Sequence, residues 1–270
     1  NVAKIANINV LKIKRDLDSK VFKPHQYSGH IPISSIYAFL GTFASYLYGY
    51  SYFIVGNEYS SNFGNIEYKG LTINHQWSKS FEFEKLFSDY IKNIIPDITY
   101  FSLLRSFYEI RIAKLFSNYK RYFNAFSSCN NNFKKTKAHK GLWCNNCPKC
   151  VFTFVMLSAF LSKEELISVF SENLYEKHNI LPLFKDILGL GQMKPFDCVG
   201  TFEESQTALF MASEKHRDSF IIKQLLPQVK YSADVFKVQK ENNIPEKFRL
   251  LGIESLLILG HGKEGQVTEK

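Results

Sequence analysis

Four of the five cysteines fall in one short stretch: Cys129, then Cys144, Cys147 and Cys150 in a Cys-x-x-Cys-x-x-Cys run. They supply four soft ligands from two short backbone segments, the donor set that closes a tetrahedral, structural zinc site. Each Cys-x-x-Cys lets the chain curl so that both sulfurs face one centre, and Gly141 eases the approach of the second segment. An iron–sulfur cluster is the other metal use of such a set. Disulfides fit less well, because nothing else in the chain points to secretion. Between the ligands lies the densest basic run, Lys134, Lys135, Lys137, His139 and Lys140. It either neutralises the negative charge of a four-thiolate centre or touches phosphate.

Something must position these thiols. The chain has 270 residues, is 45% hydrophobic and carries a net charge of +9. That length suits one large or two modest domains, and the charge suits an anionic partner such as a nucleotide, a nucleic acid or an acidic metabolite. No apolar run is long enough to span a membrane, and no signal peptide opens the chain. A cytoplasmic protein with no membrane partner is therefore expected. Position 1 is Asn, and the last residues stop in mid-pattern; both suggest a piece of a longer polypeptide.

Residues 8–14 alternate like a strand, and Pro32 opens a helix whose apolar run from Ile36 to Tyr48 predicts burial. Tyr52 to Val55 reads as a short buried strand, running into the polar loop 56–61 where α/β enzymes hold ligands. Ser80 is placed to cap a helix from Phe81 that Pro96 closes, with Glu82 and Glu84 favouring its dipole. Tyr100 to Leu104 reads as a strand and Phe107 to Phe116 as a helix. Tyr122 to Ser127 reads as a strand delivering Cys129. Helices follow to about Glu214, broken at Pro182 and Pro195, and 221–253 is a connector. Alternating strands and helices predict an α/β fold, a parallel sheet with helices on both faces and a helical C-terminal part. At 254–270 an apolar strand runs into Gly260-x-Gly262-x-x-Gly265, a turn that admits a phosphate-bearing ligand. We take it as the truncated start of a second, Rossmann-like domain.

Taken in order, several blocks resemble the MurL family of ATP-dependent UDP-N-acetylmuramoyl-L-alanyl-L-glutamate epimerases. They are Gly29-His30-Ile31-Pro32, Asn57-Glu58-Tyr59-Ser60, the run from Asn74 to Glu84, Tyr100 to Arg105, Ser127-Ser128-Cys129, Trp143 to Cys150 and Lys194 to Gly200. The resemblance covers about residues 1 to 215. It implies a fold like the ATP-pyrophosphatase group of adenine nucleotide α-hydrolases, which includes 7-cyano-7-deazaguanine synthase and its clustered-cysteine zinc site. That group cradles ATP in a Ser-Gly-Gly-x-Asp-Ser loop after its first strand, and no such loop occurs here. The resemblance therefore implies 1–220 as an epimerase catalytic domain, incomplete at its N-terminal edge. Leu256 to Thr268 resembles the opening of MurD-type ligases, which attach the glutamate that the epimerase inverts, and implies a fusion of consecutive steps.

The activity implied is inversion of the glutamyl α-carbon of a UDP-linked muramoyl dipeptide, with ATP and Mg²⁺ as cofactors and Zn²⁺ as a structural ion. By residue type, His75 is the candidate acid or base, or else a histidine satisfied within its loop. Lys79 and Arg105 are candidates for phosphate or carboxylate, Arg105 in bidentate fashion; Lys79 alternatively is an exposed lysine at a helix start. Glu58 would hold Mg²⁺ or ribose, or is a surface carboxylate. His30 approaches an anion or caps a helix. Asn57, Ser60, Asn74, Gln76 and Ser78, with Gly260, Gly262 and Gly265, complete the expected binding set. Glu109 and Arg111 read as structural, and Cys198 as a core residue. Two other functions fit the chemistry: a nucleotide-activating enzyme with another substrate, such as a modified base, and a non-catalytic zinc module binding nucleic acid.

Overall fold

The computed structural model describes residues 1–18, 20, 31–134 and 139–249. It is an α/β protein with a small parallel sheet and many helices. Its first helix, α1 (Val2–Ala6), ends at Asn7 in the left-handed conformation. Residues 8–18 then run without regular structure, so the strand expected at 8–14 does not form. Its apolar positions Ile8, Val10, Leu11 and Ile13 all stay exposed. Alternation alone makes no strand without a neighbour to bond and a face to cover.

Helix α2 (Ile33–Leu47) follows Pro32 as expected, but it is not a buried helix. Only Ala38, Thr42 and Ser45 are buried along it, while Tyr37, Phe39, Phe43, Tyr46 and Leu47 are at least half exposed. The reason is steric. A side chain at Gly41 would overlap the Phe53 ring, its Cβ falling 2.1 Å from the ring tip. The inner face is therefore made of small residues that let the helix sit down on the sheet, and the bulky ones are left on the outer face.

The sheet beneath it is β1 (Tyr52–Val55) paired in parallel with β4 (Thr99–Ser102), in register from Tyr52↔Thr99 to Val55↔Ser102. The crossover carries α3 (Phe81–Ile94), where Ser80 Oγ accepts the Phe83 N–H at 3.2 Å as the expected cap. Phe83, Phe87 and Ile91 pack with Ala38 and Tyr100 into a small core on one face of the sheet. β1 is only half buried: Tyr52 and Ile54 turn towards the surface. Within the crossover, β2 (Ile66–Tyr68) and β3 (Leu71–Ile73) form an antiparallel hairpin. Its turn has Lys69 and Gly70 both at positive φ, the geometry of a tight two-residue hairpin loop.

After α4 (Glu109–Phe116), the strand expected at 122–127 is absent. A 3-10 turn, Lys120–Tyr122, and an irregular segment replace it. Phe123 and Phe126 are drawn into an aromatic cluster with Phe116 and Trp143 instead of a ladder. The larger core is helical and surrounds α5 (Pro148–Ser158), of which Lys149 to Phe152 and Phe154 to Ser158 are buried. Around it lie α6 (Lys163–Phe170), α7 (Leu181–Ile187), α8 (Phe202–His216) and α9 (Phe220–Leu225). Ser162 and Thr201 close capping boxes with Glu165 and Glu204, each satisfying two otherwise orphaned N–H groups. Pro182 stands in the first turn of α7 and so starts a helix instead of breaking one.

The stretch expected as a connector lies against the body. Val235 and Ile244 are buried, Arg111 donates to the Phe236 carbonyl at 2.5 Å, and Ser106 accepts Gln239 N–H. It ends in the short α10 (Glu246–Phe248), whose Phe248 packs on Tyr52 and Phe101. No helix among the described residues is long and apolar enough to cross a membrane.

Candidate functional site

The site begins where β1 and β4 end side by side. Ser102 Oγ donates to the Asn57 carbonyl at 2.6 Å, tying the loop after β1 to the neighbouring strand. The next residue, Glu58, gives its carbonyl to Arg105 Nη1 at 2.7 Å. Arg105 is fully buried and every guanidinium donor is spent inside the protein. Nε and Nη2 meet Glu84 Oε2 at 3.0 and 2.9 Å, Nη1 also meets Ser61 Oγ at 3.0 Å, and Nη2 meets the Lys79 carbonyl at 2.6 Å. No donor remains for a phosphate or carboxylate from outside, which corrects the expectation for Arg105. Glu84 is corrected with it. Beyond its place in the first turn of α3, this fully buried carboxylate is the partner of Arg105. Burial pushes its pKa up, against the pull of that guanidinium. The pair is a clamp that fixes the 58–61 turn against the 76–80 turn.

Beside the clamp stand further polar and titratable groups. The 3-10 turn Tyr59–Asn62 buries Ser60, whose Oγ accepts the Glu109 N–H at 3.3 Å at the start of α4. Glu109 pairs with Lys149 Nζ at 3.4 Å. Lys149 comes from the first turn of α5, between two of the clustered cysteines. Burial alone would lower its pKa, but the carboxylates of Glu109 and Glu58 hold it up. Burial raises Glu109, and Lys149 and Lys79 only partly offset this. Glu204, fully buried at the start of α8, accepts the Ile110 N–H at 3.2 Å. Burial, with Glu109 nearby, pushes it up to about 7.

The Asn74–Lys79 turn closes one side. Asn74 Nδ2 donates to the Ser61 carbonyl at 2.8 Å, and its Oδ1 accepts the Gln76 N–H at 3.0 Å, so Asn74 is occupied in holding the loop. Gln76 and Ser78 are buried. Gln76 Oε1 has no partner among the described residues, so this buried acceptor would welcome a donor. His75 is half-buried, with Nδ1 bonded to Asn65 Oδ1 and Nε2 lying 4.0 Å from Cys198 Sγ. Cys198 belongs to a loop before α8 and is half-buried beside an imidazole, not a residue of the core. The structure thus brings Glu58, Ser60, His75 and Lys79 together with Glu109, Lys149, Glu204 and Cys198. Glu109, Lys149 and Cys198 carried no periodic signal: their partners are between 40 and 123 positions away.

The four-cysteine set also assembles. The sulfurs of Cys129, Cys144, Cys147 and Cys150 all lie within 4.8 Å of one another. Cys147–Cys150 measures 3.5 Å and Cys144–Cys150 3.8 Å. A tetrahedral zinc site with Zn–S of about 2.3 Å has sulfur edges of about 3.8 Å, so the cage has the right size. Their mutual contact brings Cys147 down to about 4 and pushes Cys150 up. Asn131 Nδ2 donates to Cys144 Sγ at 3.1 Å, a neighbour that fixes the sulfur's direction. His30, Gly260, Gly262 and Gly265, and with them the expected ligase-like start at 254–270, lie outside the described residues.

The MurL N-terminal domain model matches residues 1–103 and the MurL C-terminal domain model residues 125–240. The UDP-N-acetyl-alpha-D-muramoyl-L-alanyl-L-glutamate epimerase of Xanthomonas oryzae pv. oryzae is 32% identical over 88% of the chain and 54% of its own length. Proteins of the same name from a Micromonospora species and from Salinispora tropica are 34% and 35% identical, over 82% and 86% of the chain and 52% of each relative. The chain spans about half the length of the curated relatives it matches. No solved structure matches it. With both domain models matched in order over a site that joins their residues, the chain belongs to the MurL family.

Proposed function

We propose that this chain supplies the acid–base and anion-binding part of an ATP-dependent epimerase. Its substrate is the terminal L-glutamate of UDP-N-acetylmuramoyl-L-alanyl-L-glutamate, inverted to D-glutamate for peptidoglycan precursor synthesis. The α-proton beside a carboxylate is poorly acidic, because the negative charge opposes a carbanion. Adenylation of that carboxylate by ATP removes the charge, releases pyrophosphate, and brings the proton within reach of a side-chain base. Lys79 and Lys149 would hold the anionic groups, Glu58 would hold the Mg²⁺ that accompanies ATP, and His75 would move the proton. The thiolate cage suits Zn²⁺, which would pin the start of α5 and so fix Lys149. The fold this reading implies is that of the ATP-pyrophosphatases, and residues 254–270 would open a ligase acting one step earlier.

One observation carries the reading. Two cations, three carboxylates and an imidazole, all but Glu109 from the two matched ranges, lie around the carboxyl ends of β1 and β4, and the relatives carry an epimerase name. The test is to incubate the full-length protein with ATP, Mg²⁺ and the UDP-linked dipeptide in D₂O. AMP release together with deuterium at the glutamyl α-carbon is expected; the absence of both sinks the reading.

A further inference from the structure

The surroundings of His75 decide which of its nitrogens carries the proton. Asn65 Nδ2 donates to the Pro195 carbonyl at 3.0 Å, which turns the amide oxygen the other way. That oxygen accepts the His75 backbone N–H at 3.4 Å and faces His75 Nδ1. An amide oxygen can only accept, so Nδ1 holds a hydrogen, and in the neutral ring the lone pair is on Nε2. Cys198 Sγ lies 4.0 Å from Nε2. The Phe196 ring stands edge-on to the imidazole, 6.0 Å between centroids, and limits its swing. A thiol, a base beside it and an amide that orients the base form the arrangement of a nucleophile activated for acyl transfer.

We propose that Cys198 is a catalytic nucleophile that carries the substrate acyl group as a thioester, a step that rests on the adenylation reading above. The Cys198 S–H proton passes to His75 Nε2. The thiolate then attacks the carboxyl carbon of the acyl-adenylate: the S–C bond forms, the C–O bond to the phosphate breaks, and AMP leaves with the electron pair and takes the proton from the imidazolium, so His75 is neutral again. A thioester keeps the carboxyl carbon uncharged while His75 Nε2 takes the α-proton and solvent returns one on the other face. Water then cleaves the thioester, giving the free carboxylate and releasing its two protons to solvent, and the imidazolium passes its proton to the departing sulfur. An alkyl thioester is also harder for stray water to attack than a phosphoric mixed anhydride, so the activated substrate survives long enough to be inverted.

The test uses the full-length protein and two independent readouts. In the first, iodoacetamide labelling at neutral pH is followed by peptide mapping. Cys198 is expected to alkylate about tenfold faster in wild type than in His75→Ala, because the thiolate is the reacting form. In the second, Cys198→Ala should still release pyrophosphate from ATP and the UDP-linked dipeptide. It should lose α-deuterium exchange by about a hundredfold, the scale of one group acting at the reacting centre. Acid-quenched wild type should carry a hydroxylamine-labile adduct on the Cys198 peptide. Cys198→Ala exchanging within about threefold of wild type overturns the nucleophile while leaving the epimerase reading intact. Equal labelling of Cys198 in wild type and His75→Ala overturns the activated pair. Wild type without pyrophosphate release removes the acyl donor itself, and the thioester with it.

Discussion

Replacing Arg105 with Met separates a structural clamp from an anion-binding residue. The guanidinium and the Glu84 carboxylate are both fully buried, and Arg105 also holds the Glu58 and Lys79 carbonyls. Arg105→Met leaves Glu84 as a charge with no partner in a dry site, a loss of about 3–5 kcal/mol. Some of this is recoverable. Ser61 Oγ lies within bonding distance of both abandoned carbonyls, at 2.7 and 2.9 Å, although its single hydrogen serves one at a time. The expected net cost is about 4 kcal/mol. Glu84→Leu alone strands the guanidinium and should cost about 3 kcal/mol, less because two carbonyls and a hydroxyl still hold it. The Arg105→Met/Glu84→Leu double variant should cost about 4 kcal/mol in total, because removing both charges leaves neither uncompensated. Urea denaturation followed by fluorescence reads this directly, since Trp77 packs on Phe83, next in sequence to Glu84. Costs that simply add in the double variant would refute the clamp. So would Arg105→Met losing substrate affinity with an unchanged denaturation midpoint.

Four further outcomes follow from the same coordinates. Elemental analysis should find about one zinc per chain, and Cys150→Ser should abolish it and lower the unfolding midpoint, since the cage closes on the start of α5. In the full-length protein, Lys149→Met should lower kcat/KM by about a hundredfold with the midpoint changed far less; unchanged kinetics would remove Lys149 from the site. Glu204 has its pKa raised from an ordinary 4.5 to about 7, so the folded state favours the protonated form. Its contribution is fully present below about 4.5 and is lost as pH rises through about 7, a fall of about 3 kcal/mol. Urea midpoints measured on either side of that window should show the fall, and Glu204→Gln should flatten it. Gly41→Leu should force α2 off β1 against Phe53 at a cost of about 1–3 kcal/mol or more, read as a lower melting temperature.

Local signals located those elements whose cause is local. Ser80 caps α3 because its hydroxyl reaches the Phe83 N–H three residues on, and the Cys-x-x-Cys spacing closes a cage through chain curvature alone. The failures were of another kind. Residues 8–14 have the period of a strand but no described neighbour, and 122–127 gave up a ladder for packing against Phe116 and Trp143. Helix α2 is apolar on the outside and small on the inside, so hydrophobic count and burial point opposite ways. At the site, His75, Glu58 and Lys79 were legible as residue types. The saturation of Arg105 was not, since it depends on partners 21 to 47 positions away. The pairing of Lys149 with Glu109, and of Cys198 with His75, likewise exists only in three dimensions.

The small hairpin ends at its base in Asn65 and His75: Asn65 N–H donates to the Ile73 carbonyl at 2.8 Å, and the paired strands between them hold the two side chains side by side. Because a strand turns its side chains over at every step, the tip at Lys69-Gly70 can grow or shrink by matched residues, one on each arm, and leave the base as it was. A lone insertion in one arm rolls the imidazole away from its amide. In this chain a change of hairpin length therefore keeps the imidazole beside its amide only when it comes in matched pairs.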